Sequence, residues 1–175
     1  LAAHIPEMVI MGGGRLDGNI TASPMAEYNI WCDPEGARVV FHSGVKITLV
    51  PLDVTRKALL TPTYCDQFEQ IGTPGAKASA VFTRKLMETE YTHSPVPSQH
   101  VPMHDSLVVC AVIDRSVITT KHVYADVETF GETTVGQTVI DWFGRTRKEP
   151  NIHFAYEVDQ SKYIGLVMES LKRTL

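Results

Sequence analysis

Short apolar runs alternate with helical patterns over the first two thirds of the chain, and this alternation constrains the fold most strongly. Met8 to Met11 is an apolar run that ends at Gly12, and Val45 to Pro51 is a second short run rich in β-branched residues. Between them, Asp33 and Pro34 are typical of a helix start, with the Asp as cap and the Pro in the first helical position. Short buried strands separated by helices favour βαβ units. We therefore predict an α/β fold built on an open, mostly parallel sheet.

The last third of the chain has a different pattern. Apolar residues alternate with polar ones from Val123 to Val127, which is typical of a strand with one face in water. Asn151 to Val158 alternates in the same way, and Ser161 to Lys172 has the spacing of an amphipathic closing helix. We interpret this part as an antiparallel addition to the sheet. No repeat or linker divides the chain, so we expect a single domain.

The middle of the chain predicts further helices and one irregular loop. Thr61 is expected to begin a helix that Gly72 ends, and a longer helix follows over 75–90. Prolines interrupt the segment 91–103, which predicts an irregular loop. Asp105 is then expected to cap another helix.

The bulk properties exclude several classes of protein. A net charge of -4 argues against a nucleic-acid-binding protein, which would carry a basic surface. No apolar run approaches the ~18 residues that a membrane span needs, so we expect no membrane partner. The three cysteines are far apart and lack metal-site spacing, which favours buried, reduced thiols and a cytoplasmic protein.

Polar side chains are concentrated in the loop predicted after the first strand. Asn19, Glu27 and Asn29 lie close together in the sequence. Loops at the carboxyl ends of strands open into a crevice that can hold a ligand. Amides donate and accept hydrogen bonds and a carboxylate accepts them, so these groups suit a polyhydroxylated ligand such as a ribose. The alternative, which composition alone favours, is that they only cap the local backbone.

His104 and Asp105 also have two interpretations. Asp105 is either an ordinary helix cap or a single hard oxygen ligand for Ca²⁺ or Mg²⁺. Nothing else in the chain forms a carboxylate cluster around it. His104 is more often a structural histidine, but it titrates near neutral pH and is therefore a candidate proton donor.

Two strings of residues resemble the inosine-uridine nucleoside hydrolase family. The segment MGGGRLDGNITASPMAEYNIWCDPE is similar to the family string MGG…GN[IV]T…AE[FY]N…DPEA, and PMHDSL matches far downstream. The string at 126–139 follows in the same order. The resemblance spans nearly the whole chain, and it implies a Rossmann-like α/β fold.

The resemblance also implies an activity and a cofactor. Family members hydrolyse the N-glycosidic bond of ribonucleosides to free base and ribose, in purine and pyrimidine nucleoside catabolism and nucleotide salvage. A bound Ca²⁺ holds the ribose hydroxyls and the attacking water, and many members are homo-oligomers. A metal ion that both orients the substrate and activates water is physically well suited to this reaction.

The matching motif positions imply roles for individual residues. Asp105 is expected to bind Ca²⁺, and His104 is expected to protonate the leaving base. Tyr91 is expected to close over the base. The residues expected to contact the ribose are Met11, Asn19, Glu27 and Asn29.

The chain departs from the family pattern in two respects, and the lesser one is that more residues separate Asn19 from Glu27 than in the common family string. The Asp-rich DxDxGxDD segment, which would supply most metal ligands and the catalytic base, does not occur in it. We therefore expect 1–175 to be the C-terminal part of a single nucleoside hydrolase domain, inactive by itself and completed by a missing N-terminal half or a complementary chain. The alternatives are a non-catalytic nucleoside- or ribose-binding module and an inactive structural fragment.

Overall fold

The computed structural model describes residues 2–93 and 100–173, except for the side chains of 90–93. The chain divides into two compact units. We call the first the sheet unit, and it consists of Leu1–Thr55 and Ile118–Val158. The second, which we call the helical unit, consists of Arg56–Val117 and Asp159–Leu175.

Strands and helices alternate along most of the described chain. The strands are β1 (Met8–Met11), β2 (Ile47–Val50), β3 (Leu59–Leu60), β4 (Val101–Pro102), β5 (Ile118–Val127), β6 (Thr138–Asp141) and β7 (Ile152–Val158). The helices are α1 (Tyr28–Cys32), α2 (Pro34–Phe41), α3 (Leu52–Thr55), α4 (Pro62–Ile71), α5 (Pro74–His93), α6 (His104–Ile113) and α7 (Gln160–Lys172).

The sheet unit is built on one mixed sheet with the strand order β1-β2-β7-β5-β6. β1, β2 and β7 are parallel, and β5 is antiparallel to both of its neighbours. This arrangement confirms the predicted α/β sheet with an antiparallel C-terminal addition. One assignment was wrong in detail, because β7 is not confined to the addition. It lies in the middle of the sheet, where Ile152 stands beside Ile47 of β2 in parallel register.

The core of the sheet unit follows from the alternation seen in the sequence. Val123, Ala125 and Val127 of β5 are all buried, as predicted. Every residue of β2 is buried, as is typical of a strand covered on both faces. Leu49 of β2 and Phe154 of β7 are completely buried in the same cluster. Hydrophobic burial along neighbouring strands therefore holds this sheet together.

The helical unit uses the start and stop signals that the sequence contains. The Thr61 hydroxyl caps α4 by accepting a hydrogen bond from the Tyr64 backbone N–H at 3.3 Å. Gly72 ends the helix with a φ of +81°, a conformation that glycine adopts without steric cost. α7 packs against α4, α5 and α6, and its Tyr163 is completely buried.

Three sequence-based expectations were wrong. Part of the predicted loop 91–103 is regular, because α5 continues to His93 and β4 pairs with β3. Asp105 is not a helix cap, since α6 begins at His104 with Met103 in the cap position. Cys32 is exposed rather than buried.

Within the part of the chain that the structure describes, we find no helix with the length and hydropathy of a membrane span.

Candidate functional site

The candidate site in the sheet unit begins at the carboxyl end of β1 with a glycine turn. Gly13 has a φ of +71°, and a Cβ atom there would lie 2.5 Å from the Thr138 hydroxyl oxygen. The turn therefore requires glycine for both conformation and space. The Gly13 backbone N–H donates a hydrogen bond to the Glu27 carboxylate at 3.0 Å. This bond connects the turn to the start of α1.

Glu27 is the buried centre of this site, with only 2% of its surface exposed. Its Oε2 accepts hydrogen bonds from the backbone N–H groups of Gly13 at 3.0 Å and Ile30 at 3.3 Å. Its Oε1 accepts one from Asn29 at 3.0 Å. The carboxylate thus caps α1 and fixes the glycine turn. Because an ionised carboxylate has about four acceptor positions, one remains for a further donor.

Two exposed asparagines flank Glu27, and each uses half of its amide to hold the backbone. The Asn19 Oδ1 accepts a hydrogen bond from the Tyr28 N–H at 2.8 Å. The Asn29 Nδ2 donates to the Met11 carbonyl at 3.3 Å and lies 3.4 Å from the Met11 Sδ. Among the described residues, the Asn19 Nδ2 and the Asn29 Oδ1 have no hydrogen-bond partner. One free donor and one free acceptor therefore remain for a ligand.

Asp53 belongs to the same site, although the sequence analysis did not single it out. It follows β2, and its Oδ2 accepts a hydrogen bond from the Arg15 backbone N–H at 2.7 Å. Its Oδ1 is buried without a hydrogen-bond partner among the described residues. The Arg15 guanidinium lies 4.8 Å from the centre of the Trp142 ring. Arg15, which follows the glycine turn, is therefore held through both its backbone N–H and its side chain.

The other predicted residues lie in the helical unit, on the first turn of α6. Asp105 is exposed, and it makes no hydrogen bond or ion pair with any described residue. It is the acidic residue in the first helical turn, where the helix dipole stabilises negative charge. His104 is partly exposed and begins the helix. Tyr91 continues α5, but its side chain lies outside the described residues.

The first turn of α6 is held by a side-chain hydrogen bond from another helix. The Ser106 hydroxyl donates to the Met103 carbonyl at 3.1 Å and lies 2.5 Å from the Tyr163 hydroxyl of α7. Burial raises the pKa of Tyr163 to about 12, against a smaller opposing effect of the Ser106 hydrogen bond. The Tyr163 hydroxyl therefore stays protonated at neutral pH.

A complete metal site is not formed by the residues that the structure describes. Among them, no three His, Cys, Asp or Glu side chains converge closely enough to hold a metal ion. Ca²⁺ usually takes about 6–8 oxygen ligands. Asp105 offers a hard oxygen of the right chemistry, but one carboxylate does not make a calcium site.

Comparison with known proteins gives a consistent result. The sequence model described as "Inosine-uridine preferring nucleoside hydrolase" matches residues 1–165. An inosine-uridine preferring nucleoside hydrolase from Leishmania major is 37% identical over 173 residues, which are 97% of this chain and 52% of the relative. A pyrimidine-specific ribonucleoside hydrolase from Klebsiella pneumoniae is 33% identical over 98% of this chain and 54% of its own length.

Solved structures give the same picture. A purine-preferring ribonucleoside hydrolase from Gardnerella vaginalis superposes with a TM-score of 0.81 and 27% identity, over 95% of this chain and 53% of its own. The chain spans about half the length of the curated relatives it matches.

Proposed function

The chain belongs to the inosine-uridine preferring nucleoside hydrolase family, and we propose that the complete protein hydrolyses the N-glycosidic bond of ribonucleosides to free base and ribose. Relatives named as nucleoside or ribonucleoside hydrolases match almost all of this chain. The structural observation that carries the proposal is the cluster of Met11, Glu27 and Asn29 at the carboxyl end of β1, joined by hydrogen bonds of 3.0 and 3.3 Å. This is the edge at which open α/β sheets bind ligands.

The sugar is the part of the substrate that this cluster suits. The Asn29 Oδ1 and the remaining acceptor position of Glu27 would accept hydrogen bonds from ribose hydroxyls. The Asn19 Nδ2 would donate to a ribose oxygen. All three side chains are already fixed by bonds to the backbone. Ribose binding would therefore cost little side-chain ordering, and the sugar would be held in one orientation for the reaction.

We propose that His104 is the general acid that protonates the leaving base. Cleavage of the N-glycosidic bond leaves negative charge on the base, and a proton from an imidazolium neutralises it. Positioned acids of this kind typically contribute about 10²–10⁴-fold to the rate. We further propose that Tyr91 closes over the base.

We also propose that the activity of the complete protein depends on Ca²⁺. Asp105 would contribute one ligand, since its carboxylate is exposed and has no partner among the described residues. The other ligands would come from an Asp-rich N-terminal segment of the complete protein. Ca²⁺ would supply the positive charge that orients the ribose hydroxyls and the attacking water. We also propose that 1–175 is the C-terminal part of one hydrolase domain in a cytoplasmic homo-oligomer.

The test is base release by the complete protein in the presence of CaCl₂. We expect hypoxanthine from inosine or uracil from uridine, measured by chromatography. Asp105→Asn should lower kcat/KM by at least about 10–100-fold, the range typical for disturbing metal ligation. Glu35→Gln is a matched control, because Glu35 is also an exposed acidic residue in the first turn of a helix. The absence of base release from every common nucleoside would refute the proposal.

A second candidate function is a nucleoside- or ribose-binding module without catalysis. It is favoured by the lack of a three-ligand metal group among the described residues. Calorimetric binding of inosine to the complete protein, without any base release in the presence of Ca²⁺, would establish this alternative.

A further inference from the structure

The first turn of α6 has an unusual support. Met103 occupies the cap position, but it provides no side-chain hydrogen bond to the helix. The turn is instead held from within by Ser106, whose hydroxyl donates to the Met103 carbonyl at 3.1 Å. Ser106 is in turn bonded to Tyr163, a completely buried residue of α7. Ser106 lies two positions after His104, within the same helical turn.

The number of hydroxyl protons limits how Ser106 can make its two contacts. A serine hydroxyl has one proton, and in Ser106 this proton points to the Met103 carbonyl. Both contacts are satisfied at once when the Tyr163 hydroxyl donates to Ser106 across the 2.5 Å separation. Because burial keeps this phenol protonated, the bond persists throughout the pH range in which a histidine titrates.

The first turn of α6 borders a cavity on one side, although Leu107 in the same turn is completely buried. A cavity of about 280 Å³ opens beside the bond, and its lining includes Met103, Ser106, Cys110 and Tyr163. A side chain next to an open cavity has few contacts on that side, so the hydrogen bond carries more of the positioning. Loss of the Tyr163 hydroxyl would leave the ring in its buried place and the Leu107 backbone bond to Met103 intact, but it would remove the side-chain contact that ties Ser106 to α7.

We propose that Tyr163 is a positioning residue for His104, which it orients through Ser106 and the first turn of α6. This inference rests on the proposed function, in which His104 protonates the leaving base. A shift of the imidazole by a fraction of an ångström weakens proton transfer, because general acid catalysis depends on short hydrogen-bond geometry. Tyr163 would then affect the chemical step rather than substrate binding.

The test is a double-mutant cycle in the complete protein with inosine as substrate. We expect Tyr163→Phe to lower kcat by about 10–100-fold, as for other supporting contacts of a site. The KM should stay within about 2-fold, because the loss affects the transition state. In His104→Ala, the added Tyr163→Phe change should cause no further loss. Ser106→Ala should lower kcat in the same direction and serves as a second variant.

Thr73→Val is the matched control for a purely structural effect. The Thr73 hydroxyl donates to the Leu171 carbonyl at 2.7 Å, so this change also removes a hydrogen bond to α7, at a point away from α6. Its kcat should be unchanged. Multiplicative losses in the double mutant or an unchanged kcat in Tyr163→Phe would each overturn the inference while leaving the proposed function intact. Full activity in His104→Ala would overturn the inference together with the assignment of His104 as general acid, while base release by the protein would still stand. A wild-type protein that releases no base would refute both.

Discussion

The glycine turn after β1 and the first turn of α6 differ in the burial and hydrogen bonding of their carboxylates. In the sheet unit, the Glu27 carboxylate is buried and accepts hydrogen bonds from three backbone N–H groups. In the helical unit, the Asp105 carboxylate is exposed and bonds to no described residue. Glu27 occupies the cap position of α1, where its side chain reaches free backbone N–H groups, whereas Asp105 lies inside the first turn of α6, behind Met103 in the cap position.

The contrast is between a carboxylate that is fixed within the fold and a carboxylate that is left exposed. The Glu27 carboxylate is fixed by the backbone N–H groups of Gly13, Asn29 and Ile30, so its position is set when the chain folds. Asp105 contributes little to the fold, and no described residue uses its acceptor positions. Substitutions should therefore change the free energy of unfolding in the first region and leave it almost unchanged in the second.

The largest effect on stability is expected at Glu27. Glu27→Gln replaces one carboxylate oxygen by an amino group that faces backbone donors in a buried place. We expect a loss of about 2–4 kcal/mol, since hydrogen bonds to a charged group are lost and buried donors lose their acceptor. Urea unfolding followed by circular dichroism measures this change. Glu35→Gln is the exposed control, and a loss of less than about 1 kcal/mol at Glu27 would contradict the comparison.

A smaller effect is expected at Asp53, which supports the same turn through one bond. Asp53→Ala leaves the Arg15 N–H without its acceptor and should cost about 1–2 kcal/mol in the same assay. Asp53→Asn should cost less, because an amide oxygen still accepts this bond and the unpartnered buried Oδ1 loses its charge. If both variants unfold at the wild-type urea concentration, the bond from Arg15 does not fix the turn.

The smallest effect is expected at Asp105. Asp105→Asn should change the free energy of unfolding by less than about 0.5 kcal/mol, as for most exposed positions. The same variant is expected to lose activity in the complete protein, so stability and function separate at this residue. A destabilisation comparable to that of Glu27→Gln would show that Asp105 is bonded within the fold, and the contrast would disappear.

Much of the fold could be predicted because its signals are local. The cap at Asp33, the glycine after α4 and the alternation in β5 depend only on neighbouring residues, and all three are confirmed. The position of β7 is different. Alternating burial identifies a strand but not its partners, and β7 pairs with β2, which lies far away in the sequence.

The site could be predicted in part for the same reason. Motif positions in the sequence led to Met11, Glu27 and Asn29, which the structure brings together. Their proposed roles toward a substrate stay predictions. Asp53 was missed because one Asp after a strand resembles an ordinary turn residue, and its bond to Arg15 crosses between two strand ends. The support of α6 by Tyr163 was equally invisible, since the contact joins two helices distant in sequence.

The strand order of the sheet unit also determines the sequence of events during synthesis. β7 pairs with both β2 and β5, but it is the last strand of the sheet to be synthesised. It follows the whole segment 56–117 of the helical unit in the sequence. Until then β2 lacks one neighbour, and the long loop that must close makes pairing slow. Nascent chains should therefore expose the edge of β2 to chaperones until residue 158 leaves the ribosome. A stop codon before β7 would remove the middle of the sheet rather than its edge.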